Sequence, residues 1–514
     1  MKIRSIVDVS TEKPTFDDVK EWHAEHLSTN VIDFDDPKPY GVYEEGKFAG
    51  IFQCTSRGAQ KLFMKAKPKN IIDIATLTSV YRPGPLAAGV DKLYIDAQSG
   101  KEYDWGDLRI NEILKDTRGC IVFQEQVMLI AEKCAGFAKG ECDEVRRAIM
   151  KRSISTGADL KKKADDLREK FVKGCIANEY TEQVSNKLYD ALLYYAGYGF
   201  NKSHAVAYAI DSFYCAWLMT YYESAWLTAY VESMLNNPKA KARAFGELRH
   251  LGYNIVPLDV NEAGEGWRVL SGKKFMPSLY TCKGIGASAI DELIALRPFK
   301  TIEELLWNDD GSWRLSKFNR RALEALIKVR AFGSLDCVGD GEEHIFASYR
   351  HMHEVVIENN DAIKKSSRKD PHQGRKTFYE LARALRADCS DEWSRKELAQ
   401  NQVEVLGSFD VWTLFEPEVM QKLNEKDVKP IDELESGDEE IVWLCVQDCT
   451  LKKTKNGKSY VQLTVIGGEG SPKRLNVWGS SSVASFEPFG LYVADTKSDD
   501  FGYSTTSWKL KRVR

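Results

Sequence analysis

Hydrophobic positions recur along the chain in two rhythms. Between residues 51 and 236 they return every three or four residues, the period of a helix with one buried face. Beyond residue 440 they alternate with polar residues, the period of a half-buried strand. The first rhythm predicts helices over 56–65, 70–79, 119–138 and 141–151, and a long apolar helix or helix pair over 203–235, with Pro238 as a boundary beyond it. Another helix is expected over 16–27, after Pro14-Thr15, with Val19 and Trp22 on one face. Tyr81-Arg82-Pro83-Gly84-Pro85-Leu86 cannot be helical throughout, because proline removes a backbone donor and clashes with the preceding turn. Residues 2–10 read as a strand with Asp8 near its end, and 33–50 as a loop or short extended pieces.

Residues 240–335 read as a compact mixed module, with a helix at 288–296 and another opened by Lys317-Phe318-Asn319-Arg320-Arg321. Residues 336–405 are charged and weakly patterned, and read as a linker with helical pieces, 378–388 the best of them. After the acidic run 433–440, strands are expected at 441–447, 459–466, 474–478, 491–494 and 506–513. Lys455-Asn456-Gly457-Lys458 supplies a hairpin turn between the first two. Five short strands with aromatics and basic loops suit an OB-fold.

Composition narrows the class. At 514 residues and 43% apolar content, the chain is long enough for roughly three or four domains, each with its own core. The net charge of −4 does not announce a nucleic-acid binder, so local basic runs such as 146–152 and 452–458 carry that question. The eleven cysteines include no Cys-x-x-Cys pair, and His23/His26 and His351/His353 lack partner ligands at metal spacing. With no signal peptide evident, reduced thiols in a cytoplasm are expected. Residues 204–222 hold a single charge, Asp211, yet their Ala, Tyr and Ser content argues for a buried helix rather than a membrane span. Asp33-Phe34-Asp35 has a metal-binding look, but Asp36-Pro37 beside it favours an ordinary acidic turn.

Candidate chemistry centres on Gly197-Tyr198-Gly199-Phe200-Asn201-Lys202-Ser203-His204. Two glycines permit a sharp bend, Asn201 and Ser203 are helix N-cap types, and free N–H groups beside Lys202 favour phosphate. Tyr198 and Phe200 are placed to stack on a base, and His204 to bond a sugar; a helix-entry turn with a surface lysine is the plainer reading. This is not a Walker A loop, since Asn201 rather than glycine precedes Lys202. Arg147 and Lys151, at i and i+4, project together and suit a triphosphate or a DNA backbone; a solvated face is the alternative. Lys283-Gly284-Ile285-Gly286 has the Gly-hydrophobic-Gly pattern of a helix-hairpin-helix, whose N–H groups meet a DNA phosphate without reading bases. In the β-rich end, Lys453, Lys455, Tyr460 and Trp478 form a candidate single-strand surface, and a barrel with no ligand is the alternative.

These stretches stand in an order that resembles the alpha subunit of bacterial DNA polymerase III, a family C replicative polymerase. The resemblance is carried by Ile51-Phe52-Gln53-Cys54-Thr55-Ser56-Arg57-Gly58, the Tyr81–Leu86 stretch, Phe123-Gln124-Glu125-Gln126-Val127-Met128, Arg146-Arg147-Ala148-Ile149-Met150-Lys151 and residues 196–208. It is firm over about 50–335 and weaker from about 405. It implies a multidomain, mainly α protein ending in a small β-barrel. The segments would be a last palm strand and connection (1–50), fingers (51–237), a helix-hairpin-helix module (238–335), a charged helical linker (336–405) and an OB-fold-like domain (406–514).

The resemblance further implies that Arg146, Arg147, Lys151 and Lys202 surround an incoming deoxynucleoside triphosphate. Tyr198 and Phe200 would lie near its base, His204 would sense its sugar, and Arg82, Asn201 and Ser203 would share that site. It departs from the family in lacking the amino-terminal PHP domain and most of the palm. Asp33 and Asp35 lie too close to Ile51 to be the family's paired catalytic aspartates. Asp8, 43 residues before Ile51, is the candidate third aspartate and Mg²⁺ ligand, with a structural strand-end acid as the alternative.

The expectation is the carboxy-terminal half of a split polymerase, as in some bacteriophages, working in a bacterial host's cytoplasm. It would share Mg²⁺ with a palm- and PHP-bearing partner subunit and bind primer-template DNA and deoxynucleotides. A sliding clamp and other replisome proteins are further candidate partners, although no Gln-x-x-Leu-Phe clamp peptide stands in 336–405. A non-catalytic DNA-binding accessory and a degenerate gene fragment are the competing readings.

Overall fold

The computed structural model describes residues 15–514, apart from 102, 155–157, 197–198, 236, 315–318, 340, 408–410, 416, 427, 435, 455, 469–471, 500–501 and 514. The strand expected at 2–10, with Asp8, therefore lies outside the described residues. The chain is mainly helical with a carboxy-terminal barrel, and it divides into two compact units, Met1–Leu227 and Thr228–Arg514.

The described part of the first unit is helical. Its central element is Lys202–Tyr221, which buries Ala205, Ala209, Ser212, Phe213, Ala216 and Met219. Small residues at these positions let neighbouring segments come close, while Phe213 fills the gap against Phe34 and Tyr40 at ring distances of 5.4 and 5.1 Å. Burying a phenylalanine of this kind contributes about 2–3 kcal/mol. The one polar side chain on that buried face is satisfied, since Ser212 donates to Phe52 O and shares a hydrogen bond with Tyr43. A second core gathers Leu108–Leu114, Gln124–Lys133, Lys139–Ile154, Ala158–Ala177 and Glu182–Ala196 around Ile110, Val127, Phe171 and Leu188.

Several expectations are corrected by these elements. Pro37–Glu44 is a helix rather than a loop, because Asp36 caps it and Pro37 stands at its first position, where no N–H is needed. The helix expected over 119–138 is shorter, Gln124–Lys133, because Val122 and Phe123 are extended and paired elsewhere. Of the two forms expected for the apolar 203–235 stretch, one helix or a pair, it takes the pair, Lys202–Tyr221 and Glu223–Met234, parted at Tyr222. Beyond it, Pro238 opens the Pro238–His250 helix. Among the described residues no helix is long and apolar enough to cross a membrane.

In the second unit a three-stranded sheet (Asn254–Ile255, Arg268–Leu270, Lys274–Met276) precedes the Ala287–Ala295, Ile302–Leu306 and Arg320–Lys328 helices. Residues 336–405, expected to be a charged linker with helical pieces, supply the Tyr349–His353, Asn360–Lys369, Pro371–Leu385 and Arg395–Leu406 helices and are packed rather than linking. Their Met352, Ile363, Phe378, Ala382 and Val405 enter the same core as Ile290, Leu305 and Leu326. The charges that suggest a linker are the solvated outer faces of these helices.

The barrel closes through five strands: Glu439–Lys453, Ser459–Ile466, Pro472–Trp478, Gly502–Thr506 and Leu491–Asp499, the last returning to the first. The third and fourth of this circuit run parallel and the other pairs antiparallel, the order of an OB-fold. The expected strand at 506–513 is corrected. Gly502–Thr506 closes the ring, and Leu510–Arg512 adds outside it on Leu491–Asp499. The buried positions 496 and 498 are Thr and Ser, so apolar alternation stops early and hides the length of Leu491–Asp499.

Candidate functional site

Two stretches distant in sequence are stitched together by backbone. Phe200 N–H donates to Val122 O at 3.0 Å, and Gln124 N–H donates to Phe200 O at 2.9 Å. The Gln124 side chain adds a bond to Gly199 O. This seam is held from beneath by Gln126, which is buried. Its Oε1 accepts the N–H groups of Val122 and Phe123, both at 2.9 Å, and its Nε2 donates to Thr117 Oγ1. Without that amide, two buried donors would lose their acceptor.

The seam delivers the start of the Lys202–Tyr221 helix. Asn201 is its N-cap and accepts the His204 N–H at 2.9 Å. Glu125, the residue after Gln124, accepts from Asn201 Nδ2 with one oxygen (3.1 Å) and from the Lys202 N–H with the other (2.9 Å). A carboxylate at this end also suits the helix dipole. The expectation of free N–H groups for phosphate is thus corrected at Lys202 and His204, whose donors are already taken.

The aromatic residues form a short row of tilted rings. The Arg82 guanidinium lies 4.0 Å from the Phe200 ring centroid. Phe200 faces His204 at 5.4 Å, and His204 faces Tyr208 at 4.2 Å. Arg82 is placed by the Tyr81-Arg82-Pro83 turn, where Pro83 opens a five-residue helix. A Cβ at Gly58 would meet the Tyr81 hydroxyl, so a larger residue there would push that ring aside.

The expected phosphate cations sit on carboxylates. Lys202 Nζ lies 3.3 Å from Asp116 Oδ2. Arg146 and Arg147 both reach Asp143, each at 2.7 Å. Hydrogen bonding from Arg146, reinforced by the charges of both arginines, holds the Asp143 carboxyl below its ordinary range. Lys151 lies on the same Lys139–Ile154 helix, but its side chain is outside those described, as are Tyr198 and Asp8. Phe200, Asn201, Lys202, Ser203, His204 and Arg82 are therefore brought together around one helix start. Arg146 and Arg147 belong to a different helix, with Asp143 rather than that cluster as their shared partner.

Sequence reasoning missed the acids. Asp116, Glu125 and Asp143 bind the named residues, and Glu125 stands inside a motif already singled out.

In the second unit Gly286 is the N-cap of Ala287–Ala295, and Gly284 has φ +105°, a left-handed conformation that a Cβ strains. Lys283 N–H donates to Val405 O at 2.8 Å, which ties the hairpin to the Arg395–Leu406 helix. The Lys283 side chain is exposed beside a cavity of about 570 Å³. On the barrel, the Tyr460 and Trp478 rings meet at 4.6 Å, tilted by 36°, on paired neighbouring strands, and Trp478 is 40% exposed. Lys453 is the exposed last residue of Glu439–Lys453 in the same sheet, while Lys455 is outside the described residues. Among the described residues no three His, Cys, Asp or Glu side chains are grouped to hold a metal ion.

Similarity to known proteins adds to this geometry. Residues 10–179 match the finger domain of the bacterial DNA polymerase III alpha subunit, and residues 252–339 match a helix-hairpin-helix motif. DNA polymerase III subunit alpha of Aquifex aeolicus (strain VF5) is 27% identical over 447 residues, 85% of this chain and 35% of that protein. The Bacillus subtilis (strain 168) protein of the same name is 34% identical over 327 residues, 63% of this chain and 28% of its own. That of Pasteurella multocida (strain Pm70) is 30% identical over 395 residues, 74% and 32%. The chain thus carries finger and helix-hairpin-helix segments similar to those of DNA polymerase III alpha subunits. It spans about a third of the length of the curated relatives it matches.

Proposed function

We propose that this chain is the fingers and DNA-binding half of a replicative DNA-directed DNA polymerase. It binds an incoming deoxynucleoside triphosphate and primer-template DNA, and it extends a primer 3′-hydroxyl together with a palm-bearing partner. One observation carries the reading: the backbone seam joins Phe123-Gln124-Glu125, inside the segment similar to polymerase fingers, to Phe200-Asn201-Lys202 beyond it, and gathers Arg82, Phe200, Lys202 and His204 at one helix start.

In this reading Lys202, Arg146, Arg147 and Lys151 meet the triphosphate, whose charge their cations offset. Phe200 and Tyr198 lie along the base, and Asn201 and Ser203 shape the turn. His204, held between Phe200 and Tyr208, faces the sugar and disfavours a ribose. The hairpin at Lys283, Gly284 and Gly286 grips duplex backbone, and Lys453, Lys455, Tyr460 and Trp478 hold a single strand.

Mg²⁺ is the metal such chemistry uses, but the described residues do not group to hold it. Asp8 is proposed as this chain's one metal-binding carboxylate. Replacing it by alanine should abolish extension in the reconstituted enzyme, and near-normal extension would remove it from the catalytic set. A phage origin and a bacterial cytoplasm as the place of action complete the proposal.

Primer extension tests the whole reading. This chain plus a palm-bearing protein should extend a primer when neither does so alone. Activity from a longer form of this chain would place the palm in the same polypeptide. DNA binding without extension in any combination would leave a non-catalytic accessory role.

A further inference from the structure

We infer that Asp116 is a placeholder for the polyphosphate, holding the Lys202 ammonium until an anion displaces it. The inference rests on the reading of Lys202 as a phosphate contact. All three expected phosphate cations with described side chains sit on a carboxylate: Lys202 on Asp116, and Arg146 and Arg147 on Asp143. The Asp116–Lys202 pair differs from the other in how it is built. Asp143 lies on the same helix as its arginines, three and four residues away, whereas Asp116 reaches Lys202 across 86 residues of sequence.

Asp116 also stands on a fixed support. It occupies the Lys115–Thr117 turn, whose Thr117 is buried. The Thr117 hydroxyl bonds Leu114 O and Cys120 O and accepts from Gln126, the residue that holds the seam. The backbone turn that carries Asp116 is therefore held by the same buried network that positions the start of the Lys202–Tyr221 helix. Lys202 is the movable partner. Its main chain is pinned by Glu125, but its ammonium sits at the end of a flexible four-carbon stem.

Exposure decides whether exchange is feasible. The two side chains are 35% and 47% exposed, so their pairing is solvent-screened and weak enough to be outcompeted. A polyphosphate brings several charges to the same ammonium and displaces one carboxylate. Asp116 keeps Lys202 folded back beside the Phe123 ring, with the ammonium 5.9 Å from its centroid. The fraction of molecules with Lys202 released sets the apparent affinity for the anion.

Calorimetric binding of deoxyadenosine triphosphate and of inorganic tripolyphosphate to the full chain tests this, using Asp116→Asn, Lys202→Ala and the double variant. Asp116→Asn should tighten both probes by about two- to fivefold, the span expected of an exposed ion pair. In the Lys202→Ala background the same change should have no effect. An unchanged or weakened affinity in Asp116→Asn overturns the placeholder. So does a gain that persists without Lys202, because that would be general relief of negative charge. Wild-type affinity in Lys202→Ala would instead remove Lys202 from the phosphate site, and the inference with it.

Discussion

The Phe123–Phe200 seam and the cations around it obey opposite rules. The seam is made of backbone bonds, supported by a buried amide that satisfies two N–H groups. The cations Lys202 and Arg147 are surface groups paired to exposed acids. Each seam bond is costly to leave unmade, whereas each surface pair contributes little and exchanges readily. The difference suits a site that must present a fixed shape and yet surrender its charges to a ligand.

The largest expected effect tests the fixed half. Gln126→Leu keeps the side-chain volume but orphans the N–H groups of Val122 and Phe123. It should destabilise the first unit by about 2–4 kcal/mol in urea unfolding. A loss under about 1 kcal/mol would break the contrast, since the seam would then need no support.

The next variant tests the exchangeable half. Lys202→Ala should weaken triphosphate binding by roughly tenfold or more, the worth of a charge-assisted hydrogen bond. DNA affinity and the unfolding midpoint should hold. Equal loss of nucleotide and DNA binding would contradict the assignment.

A smaller effect is expected on the barrel. Trp478→Ala should reduce single-strand affinity by about fivefold, near the lower end of the value of one stacked base. Unchanged affinity in filter binding would leave the Tyr460–Trp478 contact as a purely structural pair.

The smallest effect concerns pH. The Asp143 carboxyl is held low by Arg146 and Arg147, so its pairing is complete above the ordinary carboxylate range and is lost as pH falls through the depressed folded value. Its carboxyl resonance should show a midpoint below that of a free aspartate, and Asp143→Asn should lose a small amount of stability at neutral pH, a difference that disappears once the pH falls below that midpoint. A midpoint at the ordinary value would mean that the arginines are not on Asp143 in solution.

Much of the helical first unit is legible in the sequence because its helices carry an apolar stripe and a recognisable cap, as at Asn70 and Asn201. Pro37–Glu44 is harder to see although Asp36-Pro37 is a good helix start; two prolines in three residues look like a turn. The helices of 349–406 are obscured because each buries only a few apolar residues, such as Ile363, Phe378 and Ala382, amid many charges. At the site, residue types announce Lys202 and Arg147 but not their acids. Asp116 and Glu125 meet Lys202 across 86 and 77 residues, and no local pattern encodes such a meeting.

The bond from Lys283 to Val405 has a consequence for how the hairpin could be moved or inherited. The helix-hairpin-helix match ends at residue 339, yet the core beneath the hairpin continues to Val405. A fragment cut at the end of the match would leave Ile290, Leu305 and Leu326 facing water where Met352, Ile363 and Phe378 now stand. The hairpin is therefore not a portable module. Transplanting it without the helices through Leu406 would bare that apolar face, so the piece that keeps its core covered runs from the hairpin through Leu406.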